Sequence, residues 1–198
     1  MTNVLVIKSS ALGVNSVSNG LVDGFVAKLT GAQVTTRDVG ADPVPHLLPV
    51  SVSGLFGNRE GGAATVADAA DKATAELKAA ALIVIGSPMY NFGVTSTLKA
   101  WFDHVLRAKV TFEYTADGPK GLLHGKRAIV VETRGGFYSD GPAKAMDCQE
   151  PHLRAMLGLV GIHDVTFVRA EKLAVGPEVK AAAIAQAEAE LATLAAAV

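Results

Sequence analysis

Short apolar runs alternate with longer stretches of helical periodicity along the whole chain. Val4 to Ile7 is the first run; it is too short for a helix and predicts a buried strand. Leu21, Val22, Phe25, Val26 and Leu29 then recur at helical spacing, which predicts a helix starting near Ser16 to Ser18. Gln33 to Arg37 reads as a second strand, Ala64 to Ala80 as an Ala-, Glu- and Lys-rich helix, and Leu82 to Ile85 as a third strand. Leu98, Trp101, Phe102, Val105 and Leu106 form the stripe of a helix beginning near Thr95. Arg127 to Glu132 predicts a fourth core strand, Pro151 to Leu159 a helix, and Val165 to Val168 a fifth strand. An Ala-rich helix closes the chain from about Glu178.

Two stretches break this rhythm. Residues 40 to 62 are rich in Gly, Pro and Ser and predict a long excursion. Val110 to Tyr114 alternates like a strand, and Asp117-Gly118-Pro119 reads as the turn that ends it. Strands alternating with helices over five units give a parallel sheet covered on both faces. Right-handed crossovers leave few ways to connect one. Five strands favour the order 2-1-3-4-5, a flavodoxin-like three-layer α/β sandwich whose switch point lies between strands one and three. No repeat or linker divides the chain, so residues 1 to 198 are expected to form a single domain.

Composition narrows the function. The formal net charge is -1 and no run of Lys or Arg occurs, which argues against nucleic acid as a partner. Cys148 is the only cysteine, so neither an intrachain disulfide nor a thiolate metal site is available, in keeping with a reducing cytoplasm. The first residues lack the basic segment and apolar length of a signal peptide, and no run approaches the roughly 18 apolar residues of a membrane helix.

Ligands of open parallel sheets bind at the carboxyl ends of the strands. Three loops there carry candidate chemistry. Lys8-Ser9-Ser10 to Ser18-Asn19 is rich in hydroxyls and leads into a helix N-terminus, where free N–H groups favour an anion. Helix capping by Ser16 or Ser18 explains part of that composition equally well. Ser87-Pro88-Met89-Tyr90-Asn91-Phe92-Gly93 places two aromatics in a turn, which suits a flat ligand. Thr133-Arg134-Gly135-Gly136 has paired glycines that let a ring approach the main chain, although a plain glycine turn accounts for them as well. There is no Gly-x-x-x-x-Gly-Lys loop, no Gly-x-Gly-x-x-Gly after the first strand and no Gly-x-Ser-x-Gly elbow. The five histidines lack metal-ligand spacing and are expected at the surface or on helices. Cys148, next to Asp147, reads as structural, and Trp101 as a core or subunit contact.

Taken together, these loops resemble the FMN-dependent NADH-azoreductases, within the wider flavodoxin-like quinone reductases. Leu98-Lys99-x-Trp101-Phe102-Asp103, Val110-Thr111-Phe112-x-Tyr114-Thr115, Gly118-Pro119-x-Gly121-Leu122 and Val175-Gly176-Pro177-Glu178 extend the likeness over the whole chain. The resemblance implies a homodimer with one FMN per subunit near the interface. Ser10, Ser16, Val17 and Ser18 would hold the phosphate. Met89, Tyr90, Asn91 and Phe92 would line the ring, and Thr133, Arg134, Gly135 and Gly136 its other edge. It further implies ping-pong transfer from NADH through FMN to a quinone, or in two rounds to an aromatic azo bond, with no catalytic side chain and no metal. Backbone N–H groups around Tyr90 and Asn91 are then expected to face negative charge on the reduced ring. Several relatives carry histidine where this chain has Tyr138, so stacking on substrate would fall to that ring. The Gly-rich segment from Ser51 to Ala64 is expected to cover the site. A flavodoxin-like electron carrier is the alternative, but carriers dock through a strongly acidic face and a net charge of -1 gives none.

Overall fold

The computed structural model describes residues 1–198. Five parallel strands form the central sheet: β1 (Thr2–Lys8), β2 (Ala32–Asp38), β3 (Leu82–Pro88), β6 (Arg127–Thr133) and β7 (Asp164–Ala170). Their order is β2-β1-β3-β6-β7, the predicted 2-1-3-4-5 once a separate hairpin is set aside. The strands are one to three residues longer than the runs that predict them, because backbone pairing continues past the apolar stretch.

Alternation along each strand divides the interior in two. Leu5 and Ile7 of β1 and Ile83 and Ile85 of β3 face α3 (Gly61–Ala79), α4 (Ser96–Val105) and α5 (Glu150–Leu159). Val4 and Val6 of β1 and Leu82 and Val84 of β3 face α1 (Val17–Val26) and α6 (Pro177–Ala195). Each fully buried aliphatic side chain contributes about 1.5–3 kcal/mol. The chain leaves β1 toward one face and β3 toward the other. Those two strands are neighbours, so a crevice opens between their ends. Trp101 lies in the first core, edge to face with Phe102.

Several expectations are corrected. Residues 40 to 62 are not a continuous excursion: α2 (Pro49–Leu55) forms within them, and α3 begins at Gly61 rather than Ala64. Pro49 occupies the first turn of α2, where its missing N–H costs nothing. A Cβ on Gly54 would stand 2.4 Å from the Ala63 carbonyl oxygen, so glycine serves close helix packing there. The polar bonds of this segment are local, such as Ser51 Oγ to the His46 carbonyl and Arg59 to Asp68 and Asp71. Gly118 and Pro119 are not the turn but open β5 (Gly118–Gly121), which pairs with β4 (Phe112–Thr115) across Ala116-Asp117. Gly121 packs on the backbone of Gly161, where a Cβ would come within 2.1 Å of a nitrogen. Of the histidines expected at the surface or on helices, His104 lies on α4 and is fully buried there, with Nε2 bonded to the Pro45 carbonyl. No helix is long and apolar enough to cross a membrane.

Candidate functional site

The three loops meet at the carboxyl edge of β1, β3 and β6. Ser10 is buried at the end of β1; its hydroxyl lies 3.4 Å from the Tyr90 phenol oxygen, which also accepts the Ala11 N–H at 3.2 Å. The Met89 N–H donates to the Thr133 carbonyl at 2.9 Å, tying the second loop to the third. Gly40, after β2, backs this edge. A Cβ there would meet the Ser10 carbonyl oxygen at 2.2 Å, so only glycine allows the approach.

Ser16 caps α1, accepting the Asn19 N–H at 3.1 Å and sharing a hydrogen bond with the Ser18 hydroxyl at 3.0 Å. The capping reading of Ser16 therefore holds. It leaves the N–H groups of Val17 and Ser18 with no carbonyl acceptor at the helix's positive end. Asn19 Oδ1 is also buried without a partner.

After β3 the backbone closes a two-residue turn. Tyr90 N–H bonds to the Gly93 carbonyl and Gly93 N–H to that of Tyr90, at 3.0 and 3.1 Å. Asn91 and Phe92 both have positive φ, 49° and 71°, as such a turn demands. An aromatic residue held there costs on the order of 1 kcal/mol or more, and such strain gathers at functional sites. Phe92 meets Tyr138 edge to face at 6.0 Å between centroids. The Tyr90 N–H is consumed by the turn, so the donors free in this loop are those of Asn91 and Phe92. The turn walls an open depression of about 520 Å³ that also includes Lys99, Cys148 and His152. Cys148 is exposed there, not structural; only its N–H is engaged, by the Phe92 carbonyl.

After β6 the carbonyls of Arg134, Gly135 and Gly136 turn away from the crevice and accept N–H groups of Leu173, Ala174 and Lys172. The N–H groups of Gly135 and Gly136 have no carbonyl partner. A Cβ on Gly135 would touch only Ala174 Cβ, at 3.5 Å, so no neighbour in the chain requires a glycine there. Open space over free donors is what a bound ring would fill. The pieces fit FMN: neutral hydroxyls and helix N–H groups suit its phosphate, and the Gly135 cradle and the strained aromatic turn suit its ring.

Arg134 departs from its expected role. Its side chain is completely buried and points away from the crevice. Nε donates to Gln149 Oε1 at 3.0 Å, one terminal nitrogen to Glu171 Oε1 at 3.2 Å, and the other meets Glu132 Oε2 at 2.7 Å and Asp147 Oδ2 at 3.0 Å. Gln149 donates onward to the carbonyl and hydroxyl oxygens of Ser87 in β3, at 2.7 and 3.0 Å. Glu171 accepts the N–H groups of Tyr138 and Ser139. Burial pushes the Glu132 carboxyl up to about 8, against the pull of Arg134 and Arg169. Glu171 is held below the usual range: burial raises it, but the Ser139 hydroxyl, the Tyr138 N–H and Arg134 outweigh that. None of these partners was foreseen, because they come from separate segments and share no spacing.

The chain belongs to the flavodoxin-like fold family, whose model matches residues 2–195. Among curated relatives, it is 49% identical over 200 residues to the FMN-dependent NADH:quinone oxidoreductase of Hyphomonas neptunium, covering 98% of this chain and 96% of that one. It is 45% identical over 202 residues to an FMN-dependent NADH:quinone oxidoreductase of Pseudomonas fluorescens, covering 98% and 100%. Among solved structures, an azoreductase from Bacillus anthracis superposes with a TM-score of 0.90 at 27% identity, covering 98% of this chain and 99% of that one. An FMN-dependent NADH-azoreductase from the same species, in complex with FMN, gives 0.87 at 27% identity, covering 98% and 100%.

Proposed function

We propose that the chain is an FMN-dependent NADH:quinone oxidoreductase that also reduces aromatic azo compounds, working by ping-pong exchange as a single unit over residues 1–198. When bound, FMN would supply the redox chemistry between NADH and the acceptor, two electrons for a quinone or four in two rounds for an azo bond.

The residues of the chain bind and orient. Val17 and Ser18 N–H groups, with the hydroxyls of Ser10, Ser16 and Ser18, hold the phosphate without a formal positive charge. Met89, Tyr90, Asn91 and Phe92 line the ring, and the free N–H groups of Asn91 and Phe92 stabilise negative charge that develops there. Thr133, Gly135 and Gly136 form the other edge, the glycines through unpaired N–H groups. Tyr138, half-buried against Phe92, stacks on the flat acceptor. Protons come from solvent, and no side chain acts as nucleophile. The observation that carries this reading is the convergence of three sets of unpaired backbone donors on one edge of the sheet, beside an open glycine cradle.

The same reading includes a homodimer. Leu47, Leu48, Val50, Val52 and Phe56 form an exposed apolar stretch, with Phe56 at 86% exposure, that suits subunit contact. A reducing cytoplasmic setting fits an exposed lone thiol. Anaerobic titration tests the function. NADH should bleach the visible absorption of the FMN-loaded protein, and a quinone or azo dye should restore it. Bound flavin that NADH leaves oxidised would mark an electron carrier, and failure to bind FMN would overturn the site.

A further inference from the structure

The buried cluster around Arg134 lies behind the candidate flavin loop and makes no use of the crevice. As a stability device it is poor. Burying charges costs several kcal/mol per ion, an apolar replacement is often neutral or better, and Glu132 Oε1 has no partner at all. As a geometric device it is well suited. A planar guanidinium offers five donors in fixed directions, and here it joins β6, the segment at Asp147 to Gln149, the end of β7 at Glu171 and, through Gln149, β3 at Ser87. The loop it anchors is the one that turns three successive carbonyls backward and leaves the Gly135 and Gly136 N–H groups free.

Building on the FMN-dependent reading above, we propose that Arg134 is a positioning residue. From inside the protein it sets the direction of the Gly135 and Gly136 donors toward the flavin, without touching the cofactor. The donors act most strongly where negative charge develops, so misaiming them weakens the grip on reduced FMN more than on oxidised FMN. The backbone N–H and carbonyl of Arg134 are themselves spent on Ala170 and Leu173, so the residue reaches FMN through neither.

Arg134→Lys keeps the charge but cannot span four segments. Gln149→Met is a milder cut that removes the link to Ser87. For wild type and both variants, FMN affinity is read by quenching of flavin fluorescence, the two-electron potential of bound FMN by dye equilibration, and apoprotein folding by circular dichroism. A folded Arg134→Lys protein should bind FMN at least tenfold more weakly. Each tenfold loss specific to the reduced form lowers the potential by about 30 mV. Gln149→Met should move both readouts the same way by less. Unchanged affinity, or weaker affinity at an unchanged potential, would overturn the proposal, the second marking general loosening. If Arg134→Lys does not fold, Gln149→Met decides on the same readouts. If neither folds, the cluster is a stability element and the proposal falls. Wild-type protein that binds no FMN would instead strike at the functional reading, before any substitution is compared.

Discussion

Replacing Glu132 with Gln tests whether the buried carboxyl burdens the fold as its surroundings imply. Glu132 is fully buried on β6, and its Oε1 has no partner. Its pKa is raised from 4.5 to about 8, chiefly by burial, with Glu150 and Asp147 adding to the rise and Arg134 and Arg169 opposing it. In the unfolded chain the group titrates near its ordinary value. Between the two pKa values the native state therefore holds a proton that the unfolded state has released, and stability falls as pH rises through that window. A gap from 4.5 to about 8 at about 1.4 kcal/mol per unit is worth roughly 5 kcal/mol in full and about 3 kcal/mol by pH 7. Gln does not titrate. Its amide meets Arg134 less well, so at pH 5 the variant should match or trail wild type. From pH 5 to pH 9 its stability relative to wild type should rise by about 4 kcal/mol. Urea unfolding of both apoproteins at pH 5, 7 and 9 reads this directly. Two stability curves that run parallel, separated by a constant, would refute the argument.

Gly135→Val should leave the apoprotein within about 1 kcal/mol of wild type, as most unstrained loop substitutions do, because a Cβ there meets only Ala174. Flavin should nevertheless be lost, as read by the ratio of visible to ultraviolet absorbance; full retention would remove this loop from the site. Tyr138→Ala should lower quinone turnover several-fold without changing FMN affinity. Unchanged turnover on every quinone tried would end the stacking role. Gly121→Ala drives a Cβ to within 2.1 Å of the Gly161 nitrogen. Its urea midpoint should drop by an amount equivalent to about 2 kcal/mol or more.

The apolar runs at Val4 to Ile7 and Leu82 to Ile85, and the apolar centre of Arg127 to Glu132, announced the strands, and the spacing of Leu98, Trp101 and Phe102 announced α4. Those signals are local: a strand buried on both faces must be apolar along its length, and an amphipathic helix must repeat near every 3.6 residues. With right-handed crossovers, they also fix strand order and thus which loops share an edge. α2 escaped because Pro49, Ser51 and Gly54 weigh toward a loop by composition. Its stability comes from packing on α3, which no local pattern encodes.

The same division runs through the site. By itself, the sequence determined the sheet, its switch point and the three loops that meet there. Only the tertiary structure decided what each residue in those loops does. Ser16 caps the helix through its hydroxyl oxygen, and Val17 and Ser18 keep free backbone donors beside it. Tyr90 closes a turn that forces Asn91 and Phe92 to positive φ. Cys148 surfaces beside that turn. Arg134, adjacent in sequence to two glycines at the crevice, points the other way, into Glu132, Asp147, Gln149 and Glu171. Periodicity reports which face a residue occupies in a regular element. Beyond the last strand residue there is no period, and a side chain's direction is set by partners that only the folded chain brings within reach.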